Sequence, residues 1–318
     1  MTTAKHIYYI FLTILNLPLV FFNFNKFINK TPIHLRIVPF VIKKIKNNFN
    51  KKFFDLENIT NQSPLIKDLN KNGYIKNKLD SLDKDKILIN FFKNDIFLNY
   101  TENNLINLYN KNKEQNPDIP FLSIDIKKKI LESSLERFLL SSNLFDLIAK
   151  YLNCLPILYR FNLMYTPKNQ IYKMESSQFF HTDCESYKSI KIFINLEDIS
   201  IDNGPFTFLN KEDSQKIFLE TGYSKLRSKR MNDENIINII EKNKWKTNIG
   251  SKLDCLIIDA DSCLHFGSRD NRKSRFLCQL HYVHPSSFVF NQKFSKFLKT
   301  IKPDKKEVLL SYINFLNS

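Results

Sequence analysis

The first half of the chain is patterned for helices. Between residues 61 and 153, stretches such as DSLDKDKILINFFKN and TENNLINLYNKNKE open with a capping-type residue and then place apolar residues at helical spacing. The clearest helix is SSNLFDLIAKYLN, residues 141–153, with Ser142 or Asn143 as its cap. Its apolar residues form one stripe: Leu144, Leu147, Ile148 and Leu152. We therefore predict a helical part over residues 61–153.

Residues 154–290 follow a different pattern, in which turn residues separate short aromatic and β-branched runs. These runs are LPILYRFNLMY, SSQFFHTD, SIKIFINLEDI, GPFTFL, LDCLIID and RFLCQLHYV. Only residues 211–246, which contain the helical pattern ENIINIIEKNK, interrupt them as an insertion. The pattern predicts a fold that is mainly β with flanking helices (α+β), built around a sandwich or barrel. An amphipathic stretch at 293–316 predicts a final helix.

Residues 1–60 are expected to be a hydrophobic and basic extension of the domain that begins at residue 61. Residues 6–25 carry no Lys, Arg, Asp or Glu and are long enough to cross a bilayer, but Asn16 and Pro18 interrupt their middle. The pattern favours a helix that packs on the domain or lies at a membrane surface over a true anchor. We expect a cytoplasmic protein, with association to a membrane surface through residues 6–25 as the alternative.

The composition narrows the partner class. The chain has 318 residues and a formal net charge of +16, which invites a nucleic-acid interpretation. Lysine dominates the basic residues, however, and is interleaved with asparagine and isoleucine along the whole chain, which indicates a compositional bias rather than a local patch. No nucleic-acid partner is expected. The five cysteines lack CxxC spacing and are expected to be buried thiols in a reducing compartment.

One segment, HTD, suggests a metal site. His181 and Asp183 are two residues apart in a predicted strand, so they share one face and present a nitrogen and an oxygen ligand together. His265, just after a later predicted strand, is the best candidate for a third ligand. Two histidines and one carboxylate leave open positions on an octahedral ion, which suits non-haem Fe(II). Those positions can take 2-oxoglutarate and O2.

The distal carboxylate of 2-oxoglutarate needs a cation, and a planar arginine suits it. Arg275 begins the strand after His265 and is the predicted partner, with Arg269 and Arg272 as rivals for that role. His281, at an even offset from Arg275, is a rival third ligand or a pocket-lining residue.

Polar residues on otherwise apolar strands are further candidates. Gln178 and Lys191 either contact the cosubstrate or extend to solvent. Gln279, on the same strand face as Arg275, is a candidate for contact with the residues that bind the cosubstrate. Asn203 and Gly204 are expected to serve turn geometry alone.

The array resembles the phytanoyl-CoA dioxygenase family of Fe(II)/2-oxoglutarate oxygenases. The resemblance rests on SQFFHTD, KIFINLEDISIDNGPFTFL, GSKLDCLIIDADSCLHFGS and SRFLCQLHY, in that order. It implies a double-stranded β-helix core in a single domain over residues 61–318. It also implies that the enzyme hydroxylates a substrate and releases succinate and CO2, with ascorbate as a reductant. The chain departs from the family where LNKEDS replaces a Gly-Ser-His stretch, leaving Ser214 as a displaced remnant.

Three alternatives stay open. The first is a catalytically silent β-barrel that binds a metal or small ligand. The second is an AlkB-type nucleic-acid demethylase, echoed by HTDCE and RDNRKSR. The third is a zinc hydrolase. The expected substrate is an unidentified small or lipid-like molecule, and the oligomeric state is not readable from the sequence.

Overall fold

The computed structural model describes most of the predicted oxygenase domain. The predictions for residues 1–60 and 293–316, and for Ser142, lie outside the described residues. No helix within the described part of the chain is both long and apolar enough to cross a membrane. The described residues are 64–117, 119–126, 135, 143–152, 156–168, 174, 176–183, 188–223 and 230–283.

Seven α-helices lie in the described ranges, most of them on one side of a large sheet. They are α1 (Pro64–Asn72), α2 (Leu79–Leu82), α3 (Ile87–Phe91), α4 (Glu102–Gln115), α5 (Asn143–Leu152), α6 (Lys211–Thr221) and α7 (Asp233–Ile237). A π-helical turn, Phe92–Ile96, continues α3, and 3₁₀ turns span Ser176–Gln178, Ile201–Asn203 and Lys242–Lys244. Thr101 caps α4 by accepting from the Asn104 backbone amide, as its capping-type position predicted.

The described strands form two antiparallel sheets. The large sheet has the order β1-β7-β4-β9-β3-β2 and the small sheet the order β6-β5-β8. The strands are β1 (Tyr74–Lys78), β2 (Leu122–Asp125), β3 (Ile157–Thr166), β4 (Ser189–Asn195), β5 (Thr207–Phe208), β6 (Lys246–Thr247), β7 (Asp254–Ile258), β8 (His265–Phe266) and β9 (Arg275–Val283).

The part predicted to be helical also contains two strands, and this corrects the prediction. β1 pairs with β7 and β2 pairs with β3, so both form edges of the large sheet. Neither YIKNK nor LSID carries a long alternating apolar pattern, and pairing to a neighbouring strand supplies what local propensity lacks. In the same way, β6 falls at the end of the predicted 211–246 insertion and pairs with β5.

The centre of the large sheet is covered on both faces. Every residue of β4 and β9 is buried. On one face, alternate residues such as Ile190, Ile192 and Ile194 pack in a cluster with the helices, α5 among them. The predicted stripe of α5 is buried in the same cluster: Leu144, Leu147, Ile148 and Leu152.

The other face of the large sheet points toward the small sheet. There Phe193 of β4, Leu256 of β7 and Leu277 of β9 cluster with Phe206 and with Phe208 of β5. Two facing antiparallel sheets with helices outside one of them are the double-stranded β-helix arrangement, so the predicted fold class is confirmed. The inner face also carries the polar residues of β3, β4 and β9, and these line the cavity described next.

Candidate metal centre and cavity

Three predicted ligands meet at one point between the sheets. His181, Asp183 and His265 each offer a ligand atom, and these atoms lie within 4.8 Å of one another. Paired backbone hydrogen bonds of 2.9 Å join His181 and His265, and the Asp183 amide donates to the carbonyl of Ala260 at 3.0 Å. The HTD segment is not a regular strand as predicted, because only isolated bridges at Phe180 and His181 hold it.

The two histidines present the same nitrogen to the site. Nδ1 of His181 lies 2.8 Å from the carbonyl of Phe179, and Nδ1 of His265 lies 2.9 Å from the carbonyl of Cys263. A carbonyl oxygen only accepts, so each Nδ1 carries the proton and donates it. Nε2 of each ring is then left with a lone pair, which is the form that binds a metal.

The surroundings keep both imidazoles neutral. Burial, together with His265 and Arg230, lowers the pKa of His181 to about 2. Burial also lowers the pKa of His265, with Lys191 and Arg230 adding to the effect and Asp183 opposing it. Both rings are therefore uncharged at neutral pH, with a single proton on Nδ1.

Asp183 is anionic and is paired to a lysine. Burial alone would raise the pKa of Asp183, but Lys191 and the neighbouring His265 hold that pKa below its ordinary value. Nζ of Lys191 lies 2.6 Å from Oδ2 of Asp183, and this same oxygen lies 3.9 Å from Nε2 of His265. The lysine therefore pairs with the carboxylate oxygen that lies nearest His265.

The three side chains form part of the wall of a cavity of about 260 Å³. Gln178, Lys191 and Arg275 line the same cavity, so the structure brings all six predicted site residues together. Phe206 also lines it and packs against His265, with ring centroids 5.0 Å apart.

Arg275, at the start of β9, is buried. Its Nη1 donates to the carbonyl of Gly204 at 2.8 Å, and its buried Nε has no hydrogen-bond acceptor among the described residues. Burial lowers the pKa of Arg275 to about 10, opposed by Glu197, so the guanidinium stays charged at neutral pH. It can therefore donate to an oxyanion in the cavity.

The rival arginines have other contacts. Nη1 of Arg269 lies 2.8 Å from both carboxylate oxygens of Asp233, and its Nε donates to the carbonyl of Gln178. The Arg272 side chain is 85% exposed and lies 3.9 Å from Asp202. Of these three arginines, only Arg275 lines the cavity.

The remaining polar candidates differ in placement. Gln178 is buried and donates from Nε2 to the carbonyl of Ser268 at 3.0 Å. Gln279 lines the cavity on β9. His281 lies opposite Lys191 in the β4–β9 register and packs against Tyr159, with ring centroids 5.5 Å apart. His281 is not part of the ligand group. Contact of Gln178 or Lys191 with a cosubstrate stays a prediction.

Ser214 supports the strand that carries His265. Its Oγ donates to the carbonyl of Asn210 at 2.7 Å and accepts from the amide of Leu264 at 2.9 Å. Leu264 directly precedes His265, so α6 is tied to the ligand-bearing segment. The residue that the sequence marked as a displaced remnant thus serves a structural contact.

Two cavity cations were missed at the sequence level. Arg160 and Arg230 both line the cavity. Arg160 was visible in principle, because it alternates with Asn162 and with apolar residues in LYRFNLMY. Arg230 gave no local signal, because its position depends on a bridge between distant segments.

Comparison with known proteins gives structural neighbours only. A scan against protein-family models finds no match, and neither does a search of curated proteins. One solved structure, the epimerase SnoN in complex with Fe3+, alpha ketoglutarate and nogalamycin RO, is 11% identical with a TM-score of 0.36, covering 68% of this chain and 80% of that chain.

Two other solved structures show a similar degree of likeness. EctD from S. alaskensis with 2-oxoglutarate and 5-hydroxyectoine is 13% identical with a TM-score of 0.40, covering 69% of this chain and 74% of that chain. EvdO2 from Micromonospora carbonacea var. aurantiaca complexed with 2-oxoglutarate is 9% identical with a TM-score of 0.40, covering 71% of this chain and 92% of that chain. At these values the likeness carries no inference about activity, so the function is inferred from this chain's own side chains.

Proposed function

We propose that the protein is an Fe(II)- and 2-oxoglutarate-dependent oxygenase that acts on a small molecule. The observation that carries this proposal is the meeting of His181, Asp183 and His265, with ligand atoms within 4.8 Å of one another, in a cavity that also contains buried Arg275. A metal group alone would leave the buried arginine without a role. With both present, a bound metal can bind the 2-oxo acid end of 2-oxoglutarate and Arg275 can bind its distal carboxylate.

The donor set fits the metal. Two neutral imidazoles and one carboxylate are the set found in non-haem Fe(II) oxygenases, and they leave coordination positions for other ligands. When bound, Fe(II) and 2-oxoglutarate supply the activation of O2 that hydroxylates a C–H bond, with release of succinate and CO2. The backbone carbonyls of Phe179 and Cys263 orient the two rings so that Nε2 of each faces the metal position.

Arg275 binds the distal carboxylate of the cosubstrate. Its bond to the Gly204 carbonyl fixes the guanidinium, and its Nε remains available to donate. The planar fork can form parallel hydrogen bonds to a carboxylate, which an ammonium group does not match. Gln178 and Lys191 are proposed to contact the same cosubstrate from the cavity wall.

A zinc hydrolase would use similar ligands but would also need a general base. Among the described residues of the cavity wall, Asp183 is the only acid, and the metal requires it as a ligand. A hydrolase also gives Arg275 no function. The oxygenase hypothesis therefore accounts for more of the cavity, and the motif order favours an enzyme of the phytanoyl-CoA dioxygenase type.

The test is anaerobic addition of Fe(II) and 2-oxoglutarate to the purified protein, with absorption spectra recorded in the visible range. We expect a metal-to-ligand charge-transfer band in the wild type. The band should be lost in His265→Ala, which removes a ligand, and should require more 2-oxoglutarate in Arg275→Ala, which removes the carboxylate partner. Arg272→Ala is the matched control, because its side chain is 85% exposed and lies outside the cavity wall.

The outcome separates the open alternatives. A band that appears in the wild type and responds to both variants supports the cofactor pair. A folded, iron-loaded protein without the band contradicts the proposal and leaves the silent metal-binding barrel as the better hypothesis. Succinate formation under air, with and without added Fe(II), then checks that bound 2-oxoglutarate is consumed.

A further inference from the structure

The cavity wall contains more positive charge than the metal and the cosubstrate require. Four cationic side chains line it, whereas Asp183 is the only acid among its described lining residues. Lys191 is paired with Asp183, and Arg275 is assigned to the cosubstrate. The two remaining cations are Arg160 and Arg230.

Arg230 lies directly across from a metal ligand. Phe180 and Met231 form an antiparallel bridge with backbone hydrogen bonds of 3.1 and 2.9 Å. In an antiparallel pair the next residue on one segment faces the preceding residue on the other, so His181 and Arg230 are opposite and share a face. Phe180 and Met231 are buried in a core cluster on the other face. The Arg230 side chain is thus directed to the side that carries His181.

Arg230 has no acidic partner among the residues that the structure describes. Arg230 is exposed. Its charge contributes to the lowered pKa values of His181 and His265, which is consistent with a position close to both rings. A cation placed at the wall of a concave site attracts anions into that site.

Arg160 lies toward the other end of the cavity from the cosubstrate arginine. In the β3–β9 register Thr166 lies opposite Arg275, and Arg160 lies opposite His281. Arg160 and Thr166 are six residues apart on β3, a separation of about 20 Å between their backbones at the rise of a strand. Both line the cavity, so its wall carries a cation at the Arg160 end of β3 as well as at Arg275.

We propose that the substrate carries an oxyanion group, a carboxylate or a phosphate, which Arg230 binds directly and Arg160 supports from β3. The inference rests on the proposed oxygenase function, since it assigns Arg275 to 2-oxoglutarate and the other two arginines to the substrate. An arginine fork matches either oxyanion, so the shared chemistry is a group with two or more charged acceptor oxygens. The substrate is anchored by this group, and its reacting carbon is held near the metal.

The experiment uses small probes on the full chain loaded anaerobically with Fe(II) and excess 2-oxoglutarate, so that the metal and Arg275 are already engaged. Methyl phosphate, acetate and neutral acetamide are titrated separately by calorimetry, and the charge-transfer band is recorded in parallel. We expect at least one anion to bind and acetamide not to bind, and the stronger anion identifies the substrate group. Arg230→Gln should weaken that anion about tenfold or more, the loss expected for one charge-assisted hydrogen bond.

The controls keep the result decisive. Arg160→Gln should weaken the anion by a smaller factor, and Arg272→Gln should leave its dissociation constant unchanged. If no anion binds at millimolar concentration, if acetamide binds as well as acetate, or if Arg230→Gln binds the anion like the wild type, the proposal is overturned.

Failure of the oxygenase function is seen separately, as the absence of the charge-transfer band. In that case the same titrations on metal-free protein decide this site alone. Anion binding that depends on Arg230 supports an anion site in a non-oxygenase. Binding that is independent of Arg230 removes the site as well.

Discussion

Lys191 pairs with Oδ2 of Asp183, which also lies 3.9 Å from Nε2 of His265. The separation of 2.6 Å and the low exposure of both side chains, 10% and 12%, make this a buried ion pair. A metal bound by the same carboxylate would take over part of the charge compensation that the lysine provides. The ion pair therefore stabilises the metal-free protein in particular.

Replacing the lysine should destabilise the metal-free protein more than the metal-bound protein. Lys191→Met leaves the Asp183 carboxylate buried without its partner, and removing one side of a buried pair costs about 3–5 kcal/mol of unfolding free energy. Urea denaturation in the presence of a chelator measures this loss. Repeating the measurement with excess Co(II) should reduce the difference in unfolding free energy between variant and wild type, because the metal then offsets the charge of the Asp183 carboxylate.

A surface ion pair provides the control. Lys216 and Glu220 lie 3.8 Å apart on α6 with side chains about half exposed, so Lys216→Met should cost less than about 1 kcal/mol with or without metal. An equal loss for Lys191→Met in both metal states would show that the lysine serves packing rather than the carboxylate.

The sequence identified the residues that meet at the candidate metal centre more readily than their surroundings. His181, Asp183, His265 and Arg275 could be selected because short motifs and strand alternation limit where such residues can point. The contact between Lys191 and Asp183 could not, because it joins a strand to an irregular loop. Arg230 was missed for the same reason, since its position depends on an isolated bridge rather than on a local pattern.

At the scale of elements, the turn after the Ile201–Asn203 helix positions Arg275. Gly204 has φ +56°, in the left-handed region, and its carbonyl accepts from Arg275. A Cβ at this position would lie 2.6 Å from Oγ of Ser268 and 2.7 Å from the carbonyl oxygen of Arg269. The sequence assigned this glycine to turn geometry alone, but its backbone also holds the guanidinium.

Gly204→Ala should therefore reduce both stability and cosubstrate affinity. The left-handed conformation costs a non-glycine residue about 1–2 kcal/mol, and the contact with a backbone carbonyl adds about 1–3 kcal/mol of strain. Gly222→Ala is the matched control, because Gly222 has φ +62° with no atom within 4 Å of its Cβ position. It should show the conformational cost alone and bind 2-oxoglutarate normally.

Thermal unfolding and 2-oxoglutarate titration of the two variants measure these effects. Equal stability losses in both variants, with unchanged 2-oxoglutarate binding in Gly204→Ala, would contradict a role for this turn in holding Arg275.

Elements with long patterns were predicted, whereas three short strands were not. α5, β3, β4, β7 and β9 follow clear periodicities, and the structure contains each of them. β1, β2 and β6 are only two to five residues long, so pairing with a neighbouring strand defines them. The boundary between a helical part and a β part fails for this reason.

At the scale of the whole molecule, burial decides which groups are charged. The polar residues of β4 and β9 lie between two sheets, and the three described histidines of this interior have lowered pKa values, for which burial is the largest cause. Neutral imidazole is the metal-binding form, so the fold holds the ligands ready at neutral pH. Acid should therefore lower the free energy of unfolding, because these histidines take up protons more readily in the unfolded chain.

The pH dependence can be assigned to one histidine by difference. The pKa of His181 is about 2 in the folded protein against an ordinary value of 6.5, so below about pH 6.5 the unfolded chain binds a proton there that the folded chain does not. The contribution of His181 to stability is therefore complete above pH 6.5 and falls with acidification, by up to about 1.4 kcal/mol per pH unit.

His181→Gln removes this penalty, so in the presence of a chelator the unfolding free energy of the variant should gain about 2 kcal/mol relative to the wild type between pH 7 and pH 5. Urea denaturation of both proteins at each pH measures this, and titrating groups remote from His181 cancel in the difference. A difference that stays constant over this range would mean that folded His181 accepts a proton near its ordinary pKa, which contradicts the neutral ligand inferred from its bond to Phe179.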